Sequence, residues 1–262
     1  MSDVLRFSDV KLSFAGVKAI DGVDFTVGAD ELFAVIGPNG AGKTSIFNVI
    51  SGVYRPQQGR VLLDDVDITG LRPDKVARLG VARTFQNVEL FRQLTVVENL
   101  MLGRHHHMRY GTLAAIAWLG RARREELQNR ARVEEIVDFL ELAQWRRMPV
   151  GLLPYGVQKR VELGRALAME PRLLLLDEPV AGMNLEETED MARYILDIRE
   201  ELGIPMILVE HDMGLVMDLA DRVLVVDFGV PVACGTPGEV QQNPDVIRAY
   251  LGETGVAEGM TA

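Results

Sequence analysis

A run of residues from Gly37 to Thr44 has the types and the spacing to hold phosphate groups. The run consists of Gly37, Pro38, Asn39, Gly40, Ala41, Gly42, Lys43 and Thr44, and Ser45 follows it. Glycines let a backbone come close to an anion, and the start of a helix directs free N–H groups and a positive dipole end at it. The lysine adds a charge, and the threonine hydroxyl can ligate Mg²⁺. This spacing predicts a phosphate-binding loop, and a glycine turn with a chance lysine is the alternative.

An apolar run that ends in two carboxylates is the second feature that could do chemistry. Asp177 and Glu178 directly follow Leu173 to Leu176, and a buried strand of this kind ends at the sheet edge where open α/β folds bind ligands. Asp177 is placed to hold Mg²⁺, and Glu178 is placed to polarise an attacking water. Many strands end in acidic turns, so the pattern takes its meaning from the phosphate-binding loop earlier in the chain. Together the two features predict a nucleoside triphosphatase.

Short strands and helices must position these residues. Apolar or alternating runs predict strands at 4–7, 23–27, 32–36, 59–64, 173–176, 206–209 and 223–226. After Pro171 the strands alternate with helical patterns, which implies a parallel sheet with helices on its faces. From about Val97 to Leu142 the pattern is helical and rich in charge, so we interpret this stretch as an insertion into the sheet domain.

The composition excludes several classes of function. The chain has 262 residues, of which 48% are hydrophobic and 25% charged, which is typical of globular proteins. No secretory signal and no apolar run near the length of a membrane span is present in the sequence. Cys234 is the single cysteine, so an intramolecular disulfide and a zinc cluster are excluded. A net charge of −10 argues against nucleic acid as the main ligand.

The order of the motifs resembles that of the ATP-binding-cassette (ABC) ATPases. The phosphate-binding loop is followed by Gln86, by Leu153 to Gln158, by the strand before Glu178 and then by His211. The resemblance extends over nearly the whole chain. It implies an α/β P-loop NTPase core with a mostly parallel sheet, an N-terminal antiparallel β subdomain and a helical subdomain inserted at about 93–165. It also implies one nucleotide-binding domain at 1–252 and a flexible tail at 253–262.

The resemblance carries roles onto individual residues, with ATP and Mg²⁺ as the implied cofactors. The implied catalytic residues are Glu178, His211, Gln86 and Lys43, and the implied metal ligands are Thr44, Gln86 and Asp177. Phe14 lies where the family places an aromatic ring that stacks on adenine. Each of these residues also has an ordinary interpretation. Gln86 fits a polar turn, His211 fits the end of a strand, and Phe14 fits a hydrophobic core.

The segment that resembles the family signature departs from the usual Leu-Ser-Gly-Gly-Gln. Pro154 stands in the serine position and Val157 in the glutamine position, while Tyr155 and Gly156 occupy the two between them. The resemblance implies that Pro154, Tyr155 and Gly156 meet an ATP held by a second cassette. In the family the serine hydroxyl donates to the γ-phosphate of that ATP. Loss of this hydrogen bond would weaken binding or catalysis at the partner's site by about 1.5–3 kcal/mol. Proline is accepted at the start of a helix, so we expect a weakened signature on a folded helix.

Four segments resemble the ATPases of bacterial uptake systems for branched-chain and related hydrophobic amino acids, namely 84–91, 95–100, 153–156 and 246–252. This resemblance implies an ATP-hydrolysing importer subunit at the cytoplasmic face of the inner membrane. Its implied partners are a second ATPase subunit, in a hetero- or homodimer, two permease subunits and, indirectly, a periplasmic binding protein. A soluble cassette ATPase of iron–sulfur assembly and a regulatory cassette that holds ATP without turnover are the alternatives.

Overall fold

The computed structural model describes residues 3–105 and 121–250, which fall into two compact units. Within the described residues, the first unit takes residues 3–83, 172–178 and 195–250, and the second takes residues 84–105, 121–171 and 179–194. The single domain at 1–252 and the helical insertion at about 93–165 stay predictions. The predicted tail at 253–262 lies outside the described residues. Among the described helices, none is long and apolar enough to cross a membrane.

The structure contains ten described strands in two sheets, both within the first unit. The strands are β1 (Asp3–Phe14), β2 (Val17–Gly28), β3 (Leu32–Ile36), β4 (Gln58–Leu63), β5 (Val66–Asp67), β6 (Val81–Arg83), β7 (Leu173–Asp177), β8 (Met206–Val209), β9 (Arg222–Asp227) and β10 (Val230–Gly235). One sheet is antiparallel in the order β2-β1-β4-β5. The other has the order β10-β9-β3-β8-β7-β6 and is parallel except for β10 at its edge. The predicted strands are confirmed, and β5, β6 and β10 were not predicted.

Eight α-helices are described. They are α1 (Lys43–Ile50), α2 (Pro73–Arg78), α3 (Val96–Gly103), α4 (Arg121–Phe139), α5 (Tyr155–Leu167), α6 (Leu185–Leu202), α7 (Met213–Leu219) and α8 (Pro237–Gln241). In the parallel sheet, β3 and β7 are buried along their whole length. Continuous burial explains their uninterrupted apolar sequences, because a strand covered on both faces cannot alternate polar and apolar residues.

The core of the first unit lies between its two sheets. Phe7 and Phe25 stack with ring centroids 4.9 Å apart, and Phe25 stacks on Phe33 of the parallel sheet at 5.0 Å. Because Phe33 belongs to β3, this aromatic stack fixes the strand that leads into the phosphate-binding loop.

The second unit is built from helices that approach closely. Thr95 caps α3 in a reciprocal capping box with Glu98, which satisfies two N–H groups at the helix start. At the other end of α3, a side chain on Gly103 would place its Cβ 2.4 Å from the carbonyl oxygen of Arg165 in α5. A glycine at this position therefore permits α3 and α5 to pack backbone to backbone.

Candidate functional site

The loop between β3 and α1 is folded so that glycine is required at two positions. Gly37 has a φ of +151°, and a Cβ there would lie 2.0 Å from the carbonyl oxygen of Val226. Gly42 has a φ of +106°, and its Cβ would lie 2.3 Å from the carbonyl oxygen of Ala19. Gly40, by contrast, faces open space. The loop is thus packed against β9 and β2 on one side and open on the other, as a cradle for an anion must be.

Lys43 lies inside this loop. Its side chain is buried, and the ammonium group donates to the carbonyl oxygens of Gly37 at 2.6 Å and Pro38 at 2.9 Å. The N-cap of α1 is Gly42, which has no side chain to accept from the first N–H groups, and the first turn contains no acidic residue. A positive charge and a helix start therefore converge on one point, which favours a negatively charged ligand.

Two neighbouring strands bring Glu178 and His211 together at their carboxyl ends. Asp177 pairs with Val209 in the parallel register of β7 and β8, and the N–H of Glu178 donates to the carbonyl of Val209 at 2.9 Å. His211 Nε2 lies 2.8 Å from Glu178 Oε1. Glu178 also has a φ of +48°, in the left-handed region that such a residue seldom adopts. The two side chains thus form a hydrogen-bonded pair at the sheet edge.

Asp177 is buried beside a residue that the sequence did not single out. Arg83, at the end of β6, places Nη2 2.6 Å from Asp177 Oδ2. Strand β6 lies next to β7 in the sheet, so the two side chains meet although 94 positions separate them in the chain. A strand of three residues gives no periodicity to detect, and only the sheet order reveals this ion pair.

The remaining predicted residues of the first unit differ in their exposure. Thr44 is exposed at the first turn of α1, Asn39 is exposed, Ser45 is half-buried, and Pro38 and Ala41 are buried. Phe14 is 45% exposed at the end of β1, with its ring edge-on to Tyr54 at 5.0 Å. The interpretation of Phe14 as a core residue is therefore wrong, and its role as a platform for adenine stays a prediction.

Gln86 belongs to the second unit, where a row of charged residues on α5 holds the backbone around it. Lys159 Nζ donates to the carbonyl oxygens of Gln86 at 2.8 Å and Phe85 at 3.4 Å. Glu162 Oε1 accepts from the N–H of Glu89 at 3.3 Å, and Arg165 donates to the carbonyl of Glu89. The three charged residues are spaced three apart, so they share one face of the helix.

Burial shifts the pKa of two members of this row. Lys159 and Glu162 are 3% and 2% exposed. Burial raises the pKa of Glu162, and the Glu89 N–H and the charges of Lys159 and Arg165 oppose that rise without cancelling it. Burial likewise lowers the pKa of Arg165. The row therefore carries a desolvation penalty that it offsets through the backbone groups it binds.

The signature segment forms the start of α5, as expected. Pro154 is the N-cap residue, with a φ of −53° and a ψ of 152°. A Cβ on Gly156 would lie 2.4 Å from Glu187 Oε1, so a larger residue there would displace that side chain. Tyr155 is half-exposed, and burial of its ring raises the pKa of the phenol.

Asn184 caps α6. Its Oδ1 accepts from the N–H of Glu187 at 3.0 Å, and Glu187 Oε2 accepts from the N–H of Asn184 at 3.1 Å. Asparagine is among the residues preferred at the start of a helix. The structure thus places Lys43, Asp177, Glu178 and His211 in the first unit, and Gln86 and the signature residues in the second.

Comparison with protein families gives two matches. A model described as ABC transporter matches residues 20–181, and a model described as branched-chain amino acid ATP-binding cassette transporter matches residues 231–256. The first match includes the loop, Asp177 and Glu178. The second begins in β10 and runs past α8.

Curated relatives match over nearly their full length. The high-affinity branched-chain amino acid transport ATP-binding protein BraF of Pseudomonas aeruginosa is 42% identical over 250 residues, covering 95% of this chain and 98% of that protein. The protein of the same description named LivG in Escherichia coli is 39% identical with the same coverage. Among solved structures, the ADP conformation of an ATP-binding cassette of an ABC transporter is 30% identical, with a TM-score of 0.84 and coverage of 96% and 100%. The predicted fold class is confirmed.

Proposed function

The chain belongs to the ABC transporter family of ATPases, and we propose that it is the ATP-hydrolysing subunit of an importer for branched-chain or related hydrophobic amino acids. The observation that carries this proposal is the full-length similarity to two transport ATP-binding proteins, and the charged groups of this chain at the loop and the sheet edge support it. The resemblance inferred from the motifs is thereby confirmed at the level of the family. The identity of the solute is inferred by analogy with the relatives, because the permeases and the binding protein contact the solute and the ATPase does not.

The geometry of the loop fits a nucleoside triphosphate with Mg²⁺. The buried ammonium of Lys43 and the uncapped start of α1 face the same open cradle, which suits phosphate oxygens. The Thr44 hydroxyl and the Asp177 carboxylate are hard oxygen donors of the kind that Mg²⁺ prefers, and Gln86 is the third proposed ligand. When bound, the ion neutralises charge on the phosphate groups.

The remaining side chains supply positioning and proton handling. Glu178 is the proposed group that orients and deprotonates the attacking water, and its contact with His211 fixes the direction in which the carboxylate points. Lys43 stabilises negative charge that develops on the phosphoryl oxygens. Phe14 presents a half-exposed ring for adenine at the end of β1.

The signature residues imply a partner. Pro154, Tyr155 and Gly156 are proposed to face the ATP of a second cassette, in a homodimer or with a related ATPase subunit. Two permease subunits would hold the pair at the cytoplasmic face of the inner membrane, with a periplasmic binding protein delivering the solute. Iron–sulfur assembly and regulation without turnover are less well supported, because the full-length relatives are named as transport proteins.

Two variants test the proposal together. Lys43→Ala should abolish retention of ATP, because the phosphates lose their buried cation. Glu178→Gln should retain ATP while turnover falls by about 10²–10⁴, the usual worth of a positioned acid–base group. Fluorescent-nucleotide binding and phosphate release measure the two effects.

Lys75→Ala is the matched control, since Lys75 is an exposed lysine on α2 in the same unit. Wild-type ATP retention by Lys43→Ala would refute the nucleotide site. The transport role is tested by purification with membrane subunits and by ATP-driven leucine uptake into vesicles that contain the complex. Failure of both in an ATPase that works alone would favour the soluble alternative.

A further inference from the structure

Arg83 and Asp177 form a buried ion pair beside the proposed metal position. The distance from Nη2 to Oδ2 is 2.6 Å, and the two side chains are 10% and 7% exposed. Arg83 is in register with Leu175 of the parallel strand β7. Its side chain therefore extends along the sheet, toward the carboxyl edge, to reach a residue two positions further on.

Arg83 is anchored independently of Asp177. Its Nη1 donates to Asn48 Oδ1 at 2.7 Å and to Ser51 Oγ at 3.3 Å. The guanidinium also lies over the ring of Phe47, 5.5 Å from its centroid. All three partners belong to α1 or to the residue that ends it. The planar guanidinium thus connects Asp177 to the helix that begins at the phosphate-binding loop.

We propose that Arg83 is a positioning residue that fixes the Asp177 carboxylate relative to helix α1, so that Asp177 is oriented to hold Mg²⁺ at the nucleotide. This inference rests on the proposed function. A guanidinium holds one carboxylate oxygen with directional hydrogen bonds. Since Lys43 and Thr44 start the same helix, Arg83 sets the distance between both sides of the metal site.

The same ion pair has a second interpretation, in which Arg83 is a substitute cation that Mg²⁺ displaces. The anchoring argues against it. A displaceable arginine would need freedom to leave, whereas this one is buried and is held by a neutral amide, a hydroxyl and an aromatic ring. The two interpretations predict opposite changes in the need for Mg²⁺ when the arginine is removed.

The experiment measures equilibrium binding of a fluorescent ATP analogue to the full chain, first in EDTA and then during titration with Mg²⁺. Arg83→Met should bind in EDTA as wild type does, because the loop is untouched. Its half-saturating Mg²⁺ concentration should rise about 10- to 100-fold, the usual effect of losing a group that orients a metal ligand. The half-saturating Mg²⁺ concentration of Arg83→Lys should lie between those of wild type and Arg83→Met, because lysine keeps the charge and loses the planar guanidinium.

Arg199→Met is the matched control. Arg199 pairs with Asp221 at 2.8 Å in the same unit, away from the loop, and its loss should leave the Mg²⁺ titration unchanged. Asp177→Asn provides a second test that does not require the methionine variant to fold. In that background Arg83→Lys should cause no further change in Mg²⁺ dependence.

Three results would overturn the inference. A wild-type titration in Arg83→Met would show that the pair is structural only, even if thermal stability falls. A lower requirement for Mg²⁺ would show that Arg83 competes with the metal. A wild-type chain that binds no ATP in either condition would remove the proposed function and, with it, this inference. Binding in wild type with no effect of Arg83 substitution removes the inference alone.

Discussion

In the first unit, charged side chains meet one another at the ends of neighbouring strands, whereas in the second unit they line one helix and hold the backbone of a distant segment. Arg83 pairs with Asp177 and Glu178 with His211 at the edge of the parallel sheet. Lys159 and Glu162, on α5, instead bind carbonyl and N–H groups between Phe85 and Glu89. Charged side chains thus pair with one another in the first unit and bind backbone groups in the second.

This difference predicts which property each region controls. His211 is half-exposed beside Glu178, so its loss changes what the site can do more than whether the chain folds. Lys159 and Glu162 of the row on α5 are buried, and each binds a polar backbone group. Loss of one of these two side chains leaves the other buried charge less well compensated and removes the partner of a backbone group, which is costly to stability.

The largest expected effect on stability comes from Lys159→Met. Methionine keeps the length of the side chain but removes the donor to two carbonyl oxygens and a positive charge near Glu162. The free energy of unfolding should fall by about 1–3 kcal/mol, because the buried Glu162 loses a compensating charge and the two carbonyl oxygens lose a donor. Urea denaturation followed by circular dichroism measures it.

His211→Ala is the comparison variant in the first unit. Because the ring is 44% exposed, its removal should change the free energy of unfolding by less than about 0.5 kcal/mol. If the two variants lose equal stability, the distinction between the two regions is wrong.

The strands that position the site were predictable where burial is continuous. β3 and β7 have uninterrupted apolar sequences and stand directly before the loop and before Glu178. β6 has three residues, too few to show a pattern. β10 contains Pro231, which argues against a central strand and is accommodated here at the edge of the sheet.

The site was predictable where the chemistry is local in sequence and hidden where it depends on strand order or helix packing. The loop and Glu178 carry their own motifs. Arg83 becomes relevant only because β6 and β7 are neighbours. Lys159 and Glu162 have the spacing of a solvated helix face, and their burial depends on the segment from Phe85 to Glu89 lying over them.

A smaller effect is expected at the start of α5, where chemistry and helix capping coincide. Pro154→Ser restores a hydroxyl at the N-cap, and turnover of the isolated chain should rise about tenfold if that hydroxyl reaches a partner's phosphate, which equals about 1.4 kcal/mol. Stability should change by less, because a serine cap contributes about 1 kcal/mol and the lost proline offsets about 0.4–1 kcal/mol through the unfolded state. Phosphate release and urea denaturation separate the two.

The control is Pro149→Ser, since Pro149 is also the N-cap of a short helical turn in the same unit. Pro149→Ser should leave turnover unchanged. An equal rise in both variants, or no rise in Pro154→Ser, would contradict the assignment of Pro154 to the signature serine.

The smallest effect is a pH dependence that shows whether the row on α5 carries a net electrostatic penalty. Burial raises the pKa of Glu162 above its ordinary value of 4.5, so the folded chain holds a proton that the unfolded chain releases. Wild-type stability should therefore fall relative to Glu162→Gln as the pH rises above that value, by at most about 1.4 kcal/mol per pH unit for one group, and then level off.

Glu98→Gln is the control with the opposite sign. Hydrogen bonds from Thr95 lower the pKa of Glu98, so the stability of the wild type relative to this variant is lost as the pH falls. Urea denaturation of the three proteins between about pH 3 and pH 8 measures both slopes, since the Glu98 slope lies below its ordinary pKa and the Glu162 slope above its own. A flat difference for Glu162→Gln would mean that Lys159, Arg165 and the Glu89 N–H compensate the buried carboxylate in full, and the row would then resemble the paired charges of the first unit.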